Sequence, residues 1–574
     1  MLSAVEQTVK PGPQPGPGAC GRAPGRNWAA DGGYTAAVDR RASLALMFAL
    51  GTGVFLAGLE LMITATALPS IVVDLADWGQ LRHASWIVNG YLVAYVAMMP
   101  LAGRLSDRYG VIRPFGIALI AFGIGSALSG AAQTLDQLIA ARVLQGLGGG
   151  ALVPLATAGA SHLYEGPARA RAIGIIGALT FLGMAAGPFV GAAILSSFDL
   201  QRALVAMGAG PMVVDLAAPA WRWVFYIDVP IALLALLYAW AASPGWSVPR
   251  SPAPLRVPLL ALFTGGLVGI LLALTWAGAA DAPGGNPGLV AIGVASVGAL
   301  VLAFAWGARV HDPLLDPRAY RDPVYGGAVA VSGLTGYALA TCLIGGAVFV
   351  DRVLYGGPAD QRVALGALAG AMAVGALVSG LVLRWVGVVP VSLAGLAASI
   401  AALVVLGTTS PATPLVAFAG LLALFGLGFG LTVSPRSTAA VEALGRAAYG
   451  VASAAVTVAR MLGMAVGLAV LTALGSNRIE TLSAVYWDAA YRDSVLPPAL
   501  QGRPLEDVLV VDALERWAAA EAASILATLF LIAGLVVAAA VVPALFMGRG
   551  RPAAAVETGQ TEAVQPALAA DTAS

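Results

Sequence analysis

Long apolar runs alternate with short polar breaks along the whole chain. A membrane-spanning helix needs about 20 apolar residues, and fourteen such runs are predicted. The first six cover 44–72, 84–103, 112–132, 136–160, 172–195 and 222–243. A proline-rich break at 244–256 precedes two more, 257–279 and 287–308, and a polar connection at 311–323 leads to the last six. These cover 325–349, 362–385, 389–408, 414–436, 448–474 and 519–547. The densest polar break is G-R-L-S-D-R-Y-G-V-I-R-P, Gly103–Pro114, which reads as a short loop between antiparallel neighbours. Its three arginines place it on the cytoplasmic side of a membrane.

Composition sharpens this picture. Of 574 residues, 59% are hydrophobic and 11% charged, against about 25% charged in soluble domains. Most of the protein's surface must therefore meet lipid. A net charge of +1 offers no basic excess for nucleic acid. With both termini inside, most of the 31 Lys and Arg residues fall on the cytoplasmic side, as the positive-inside rule requires. Residues 1–42 and 548–574 read as disordered cytoplasmic tails, and the first has no apolar run long enough for a signal peptide. Cys20 and Cys342 suggest neither a disulfide framework nor a metal site, and His83, His162 and His311 lack ligand spacing.

The expected organisation is a bundle over 43–243, a linker with two extra spans over 244–324, and a second bundle over 325–547. Within the second, 475–517 is a long extracytoplasmic segment holding Tyr486, Trp487, Tyr491 and Trp517 among mixed charges. It reads either as a small folded cap or as extended helix ends. Glycines four apart, as at Gly463 and Gly467, share a helix face and allow close backbone approach.

Several stretches together resemble the major facilitator superfamily, in its fourteen-span drug:proton antiporter branch. Gly103, Leu105, Asp107, Arg108, Gly110 and Arg113 resemble the signature between spans two and three. Leu138, Arg142, Gln145, Gly146 and Gly148 resemble the fourth-span motif, and Gly183, Gly187, Pro188 and Gly191 the fifth-span antiporter motif. L-E-L-M-I-T-A-T-A-L-P from Leu59, W-I-V-N-G-Y-L from Trp86 and W-R-W-V-F-Y-I-D-V-P from Trp221 resemble the first, second and sixth spans. The chain departs from the branch at Glu60, usually aspartate, and at Asp228, usually asparagine. L-R-H-A-S-W-I-V from Leu81 and the segment before the last span also resemble lipid-exporting members from mycobacteria. The resemblance implies an all-α polytopic membrane protein of two six-helix bundles plus two extra spans, 14 transmembrane helices in all.

Glu60 is the sharpest chemical candidate, because a charge at a span centre costs about 2.5 to 3.5 kcal/mol on insertion scales. A glutamate alternating between closed and hydrated surroundings can take up and release one proton per cycle, so Glu60 is the expected proton-coupling carboxyl. Arg142 and Arg460 are the two basic residues deep in spans, and either could tune Glu60 without titrating. Asp228 reads as an interface residue. Asp107 can bond the N-terminus of a facing helix, where the macrodipole favours negative charge. The resemblance implies a gating role for it with Gly103, Arg108, Gly110 and Arg113. Pro188 removes a backbone donor, so the Gly183–Gly191 stretch is expected to bend and to pack closely.

The function expected is a proton-coupled exporter of hydrophobic or amphipathic small molecules, working by alternating access between two bundles. A lipid or glycolipid exporter of the same fold and an uncoupled uniporter are the alternatives. No nucleophile and base pair, metal cluster or phosphate-binding loop suggests an enzyme, and no cofactor is expected. The protein is expected as a monomer, multi-pass in the cell inner membrane or plasma membrane, with protons, the bilayer and a hydrophobic or lipid substrate as its partners.

Overall fold

The structure, a computed structural model, describes residues 40–548 apart from 76–80, 85, 198–200, 209, 245, 247, 249, 251–253, 278–286, 313 and 316. Residues 1–39 and 549–574, most of the two expected tails, lie outside the described residues, as does Cys20. In lipid every backbone polar group must be satisfied internally, and the apolar runs accordingly fold as helices.

The first six are α1 (Arg40–Leu75), α2 (Trp86–Tyr109), α3 (Ile112–Ala131), α4 (Leu135–Leu163), α5 (Gly166–Ser197) and α6 (Ala220–Ala242). They pack chiefly on one another, with α1 against α5, α2 against α4, and α3 between α4 and α6. The next two, α7 (Val257–Ala277) and α8 (Pro287–Val310), pair together, and α7 leans on α2 and on α13. The last six are α9 (Pro323–Arg352), α10 (Pro358–Val386), α11 (Val388–Leu406), α12 (Leu415–Leu444), α13 (Tyr449–Trp487) and α14 (Val508–Phe546). Here α9 packs on α13, α10 on α12, and α11 between α12 and α14. Among the described residues thirteen helices are long and apolar enough to cross a membrane, and α7 adds a shorter apolar one. The protein is a multi-pass membrane protein.

The helices outrun the apolar runs that predicted them. Hydropathy marks the stretch in contact with lipid, whereas the helix continues until something stops it. The stretch Gly103–Pro114 is therefore not a loop. Helix α2 continues to Tyr109 and α3 starts at Ile112, so only Gly110 and Val111 connect them, with Gly110 at φ 82°. Likewise α12 runs past Arg436 to Leu444 and ends at Gly445, φ 74°. Helix α13, at 39 residues, is about 58 Å long at 1.5 Å per residue, roughly twice the hydrocarbon thickness.

That length accounts for the segment before α14. Helix α13 extends to Trp487 and α14 begins at Val508, and between them lies a short helix, Ala489–Val495. Leu496, Val510 and Leu514 form a small buried core of their own, with Tyr491, Leu505 and Trp517 packed against it. Asp488 and Asp507 cap the two helices that follow them. We call the side carrying this segment the distal face, and the side carrying Gly110 the basic face.

Candidate functional site

The first half carries a buried polar network. Glu60 on α1 is fully buried and forms an ion pair with Arg142 of α4, Nη1 to Oε1. One turn along α1, Thr64 donates to the same Oε1 at 2.5 Å. Arg142 also donates through Nε to the Ile87 carbonyl at 3.1 Å and through Nη1 to the Gln145 Oε1 at 2.5 Å. Its guanidinium lies over the rings of Tyr91 and Phe225, at 4.2 and 5.5 Å. Gln145 carries the network onward, donating to the Ser126 Oγ at 2.7 Å and to the Asp228 Oδ2 at 3.3 Å. Close helix packing makes this possible: a Cβ on Gly125 of α3 would fall 2.5 Å from the Gln145 nitrogen.

Two carboxyls and one guanidinium thus share one buried site. Asp228, read from the sequence as an interface residue, is fully buried within it. Glu60 Oε2 and Asp228 Oδ1 find no donor among the described groups, and the two carboxyls lie beside each other. If both acids were ionised, a buried charge of minus one would be uncompensated, which is costly in a medium of low dielectric. One proton held between them balances the site.

Of the two arginines proposed for Glu60, the structure joins only Arg142 to it. Arg460 of α13 lies in the second half, where it lines a small cavity together with Arg436 of α12. Arg436 escaped the sequence reading because 414–436 left it at a span end, whereas the continuing helix buries it almost completely. Nothing in hydropathy signals this. The stop at Gly445 would have been the clue.

At the basic face, Asp107 bonds the first turn of α13, accepting from the Gly450 nitrogen at 2.7 Å through Oδ1 and from the Val451 nitrogen at 3.0 Å through Oδ2. The approach needs Gly103, where a Cβ would lie 2.6 Å from the Gly450 carbonyl oxygen. Arg104 turns away from Asp107 to an ion pair with buried Asp312, 2.7 Å. Arg108 is partly buried over Tyr109, while Arg113 is exposed. The halves meet again where Ser434 donates to the Ala170 carbonyl and Ser453 to that of Pro154, at 2.8 and 3.0 Å. Arg446 and Glu165 add a more exposed pair at 2.7 Å. The basic face is closed between the halves.

Gly183, Gly187 and Gly191 all face α1, where a Cβ on Gly187 would fall 2.7 Å from that of Met62. Helix α5 runs without interruption through Pro188. The antiporter-like stretch is thus the bed on which the helix carrying Glu60 lies. Of the histidines, His83 meets Asp136 at 3.1 Å, the His162 ring lies tilted against that of Tyr449 at the start of α13, centroids 4.7 Å apart, and His311 sits in a connection beside Arg318.

The family profile of the Major Facilitator Superfamily matches residues 50–468. The chain is 33% identical over 451 residues to a triacylglyceride transporter of Mycolicibacterium hassiacum, covering 75% of this chain and 79% of that one. It is 32% identical over 455 residues to a triacylglyceride transporter of Mycobacterium tuberculosis, covering 75% and 82%. Among solved structures, it is similar to a bacterial homologue of the human lysosomal transporter Spinster in an inward-facing conformation (TM-score 0.52, 17% identity, 90% of this chain and 100% of that one). It is similar also to the E. coli fucose:proton symporter (TM-score 0.52, 13% identity, 89% and 100%). With its helices, its packing and these matches in agreement, the chain belongs to the major facilitator superfamily and is a membrane transporter.

Proposed function

We propose that this transporter is a proton-coupled exporter of acyl lipids, with Glu60 as the group that carries the proton. The observation that carries the coupling is the buried Glu60, Arg142 and Asp228 site, in which charge balance calls for one proton. In the closed site Arg142 holds Glu60 against its helix. When the halves rock and water reaches the site, the ion pair is loosened and the Glu60 carboxylate can take up a proton, which it gives up again when the pair with Arg142 re-forms. Arginine stays charged throughout and tunes the acid without carrying the proton.

Lipid as the cargo is supported by the relatives at 33% and 32% identity, whose names state triacylglyceride transport. Other hydrophobic or amphipathic molecules, drugs among them, are competing cargoes within the same reading. The basic face would be cytoplasmic by the positive-inside rule, which puts both termini inside and the segment before α14 outside. Asp107 on the first turn of α13 would then lock the cytoplasmic side shut, with Gly103 allowing the contact and Arg108, Gly110 and Arg113 shaping the turn.

Reconstituted in proteoliposomes with a fluorescent diacylglycerol or triacylglycerol and an imposed pH gradient, the unaltered chain should accumulate lipid uphill. Glu60→Gln should abolish the accumulation while leaving downhill exchange. Uphill transport undiminished in Glu60→Gln would sink the coupling and leave a uniporter.

A further inference from the structure

A second polar site lies between the halves, and its charge is opposite in kind to that of the Glu60 network. Arg436 and Arg460 line a small cavity of about 30 Å³ with Thr157, Thr180, Ser437 and Thr457. Both arginines are more than nine-tenths buried, at 1% and 8% exposure, and both line this one cavity. Among the described residues no aspartate or glutamate lines the cavity and neither arginine forms an ion pair. Arg436 donates to the Thr335 hydroxyl at 2.8 Å and lies 4.9 Å over the Phe429 ring. Those neutral partners orient it without cancelling its charge. The Nε atoms of both arginines are buried and make no hydrogen bond.

Two adjacent guanidiniums buried in a membrane protein without a counter-charge cost several kcal/mol each unless an anion joins them. Guanidinium is the side chain best shaped to hold carboxylate or phosphate oxygens in pairs. The nearby hydroxyls suit the same task. Thr157, Thr180 and Thr457 now donate to carbonyls one turn back on their own helices, at 3.0, 2.9 and 2.9 Å, and each can turn to donate into the cavity instead.

We propose that Arg436 and Arg460 form a binding site for one oxyanion, a phosphate or carboxylate, in the inter-bundle cavity. As the structure stands there is room for a water-sized group, so the anion enters as the Ser434, Ser453 and Asp107 contacts at the basic face part. The site deepens the lipid-export reading by adding a headgroup chemistry. It rests on that reading only for the direction from which the anion arrives, and it does not involve Glu60.

The test is equilibrium binding of radiolabelled dioleoyl phosphatidic acid and of dioleoylglycerol to the purified full-length chain in a nonionic detergent, with inorganic phosphate as competitor. No pH gradient is applied, so a failure here leaves the proton coupling standing. The unaltered chain should prefer phosphatidic acid by about tenfold or more, the scale of charge-assisted hydrogen bonds. Arg436→Gln and Arg460→Gln should each cut the preference severalfold, and Arg460→Lys should keep most of it. The ratio of the two lipids within one variant is the readout, so a general loss of folded protein does not imitate the effect. Competition by inorganic phosphate alone would identify a free-ion site, and its absence a headgroup site that needs the acyl chains; either supports the proposal. Equal affinity for the two lipids in the unaltered chain, together with no binding of phosphate, would overturn it. So would a preference that survives Arg436→Gln combined with Arg460→Gln.

Discussion

At Gly103 a single hydrogen in place of a methyl group lets two helices of different halves touch. A Cβ there would press on the Gly450 carbonyl oxygen and on the Ala454 Cβ, at 2.6 and 2.7 Å, and backbone yields poorly. Gly103→Ala should therefore weaken the closed basic face by about 1 to 3 kcal/mol, the usual range for overpacking. A cysteine placed at Ser453, which is buried in this contact, should become more reactive to maleimide added from the basic face; unchanged labelling would refute the assignment. Asp507 offers a test by pH. Hydrogen bonds from the Leu509 nitrogen and from Arg503 hold its carboxyl below the ordinary aspartate range. A carboxylate lowered on folding contributes stability that is present above its unfolded value, about 3.9, and that is lost as pH falls through the lower folded value. Amide exchange at Leu509 should speed up across that window beyond its intrinsic pH dependence, and Asp507→Asn should remove the extra change.

At the scale of elements, helix length divides the work. The spans of the first half place their polar side chains in one network, while the connection after α13 and the start of α14 build a core from Leu496, Val510 and Leu514. Tyr355, at the distal end of the second half, ties this core down by donating to the Glu515 carbonyl at 2.8 Å. The small core should behave as a separate unit. Leu496→Ala should cost it about 2 to 4 kcal/mol, the range for emptying a buried leucine site, and expose 488–507 to protease with the helical content of the spans unchanged. Protection equal to that of the unaltered chain would show that the helix ends alone hold the segment. Helix α9 contains a π-helical turn at Thr341–Gly345, a common device for altering the path of a helix within the membrane.

At the scale of the whole molecule, the two halves and the extra pair are joined by polar contacts, several of them well buried. Arg104 with Asp312 is the clearest, its side chains 6% and 1% exposed, and it ties α2 to the connection after α8. Removing one partner strands a buried charge, so Arg104→Ala should destabilise the protein by roughly 3 to 5 kcal/mol. The double variant Arg104→Met with Asp312→Leu should recover most of that in a thermal unfolding measurement in detergent. Equal losses in the single and the double variant would mean that charge burial is not the cause.

By itself the sequence determined the number, order and approximate place of the spans, because lipid imposes one requirement that hydropathy reads directly. It also marked Glu60, Asp107 and the glycine faces, since charge inside a span and glycine at four-residue spacing are rare enough to stand out. Only the tertiary structure decided which charges meet. Arg142 and Arg460 look alike in sequence, each an arginine within a span, yet packing sends one to Glu60 and the other into a cavity it shares with Arg436. The same holds for Asp228, whose place beside Glu60 depends on how α1, α3, α4 and α6 turn towards one another. Pairing between helices follows from their rotation and closeness, and those are set by contacts hundreds of residues apart in the chain.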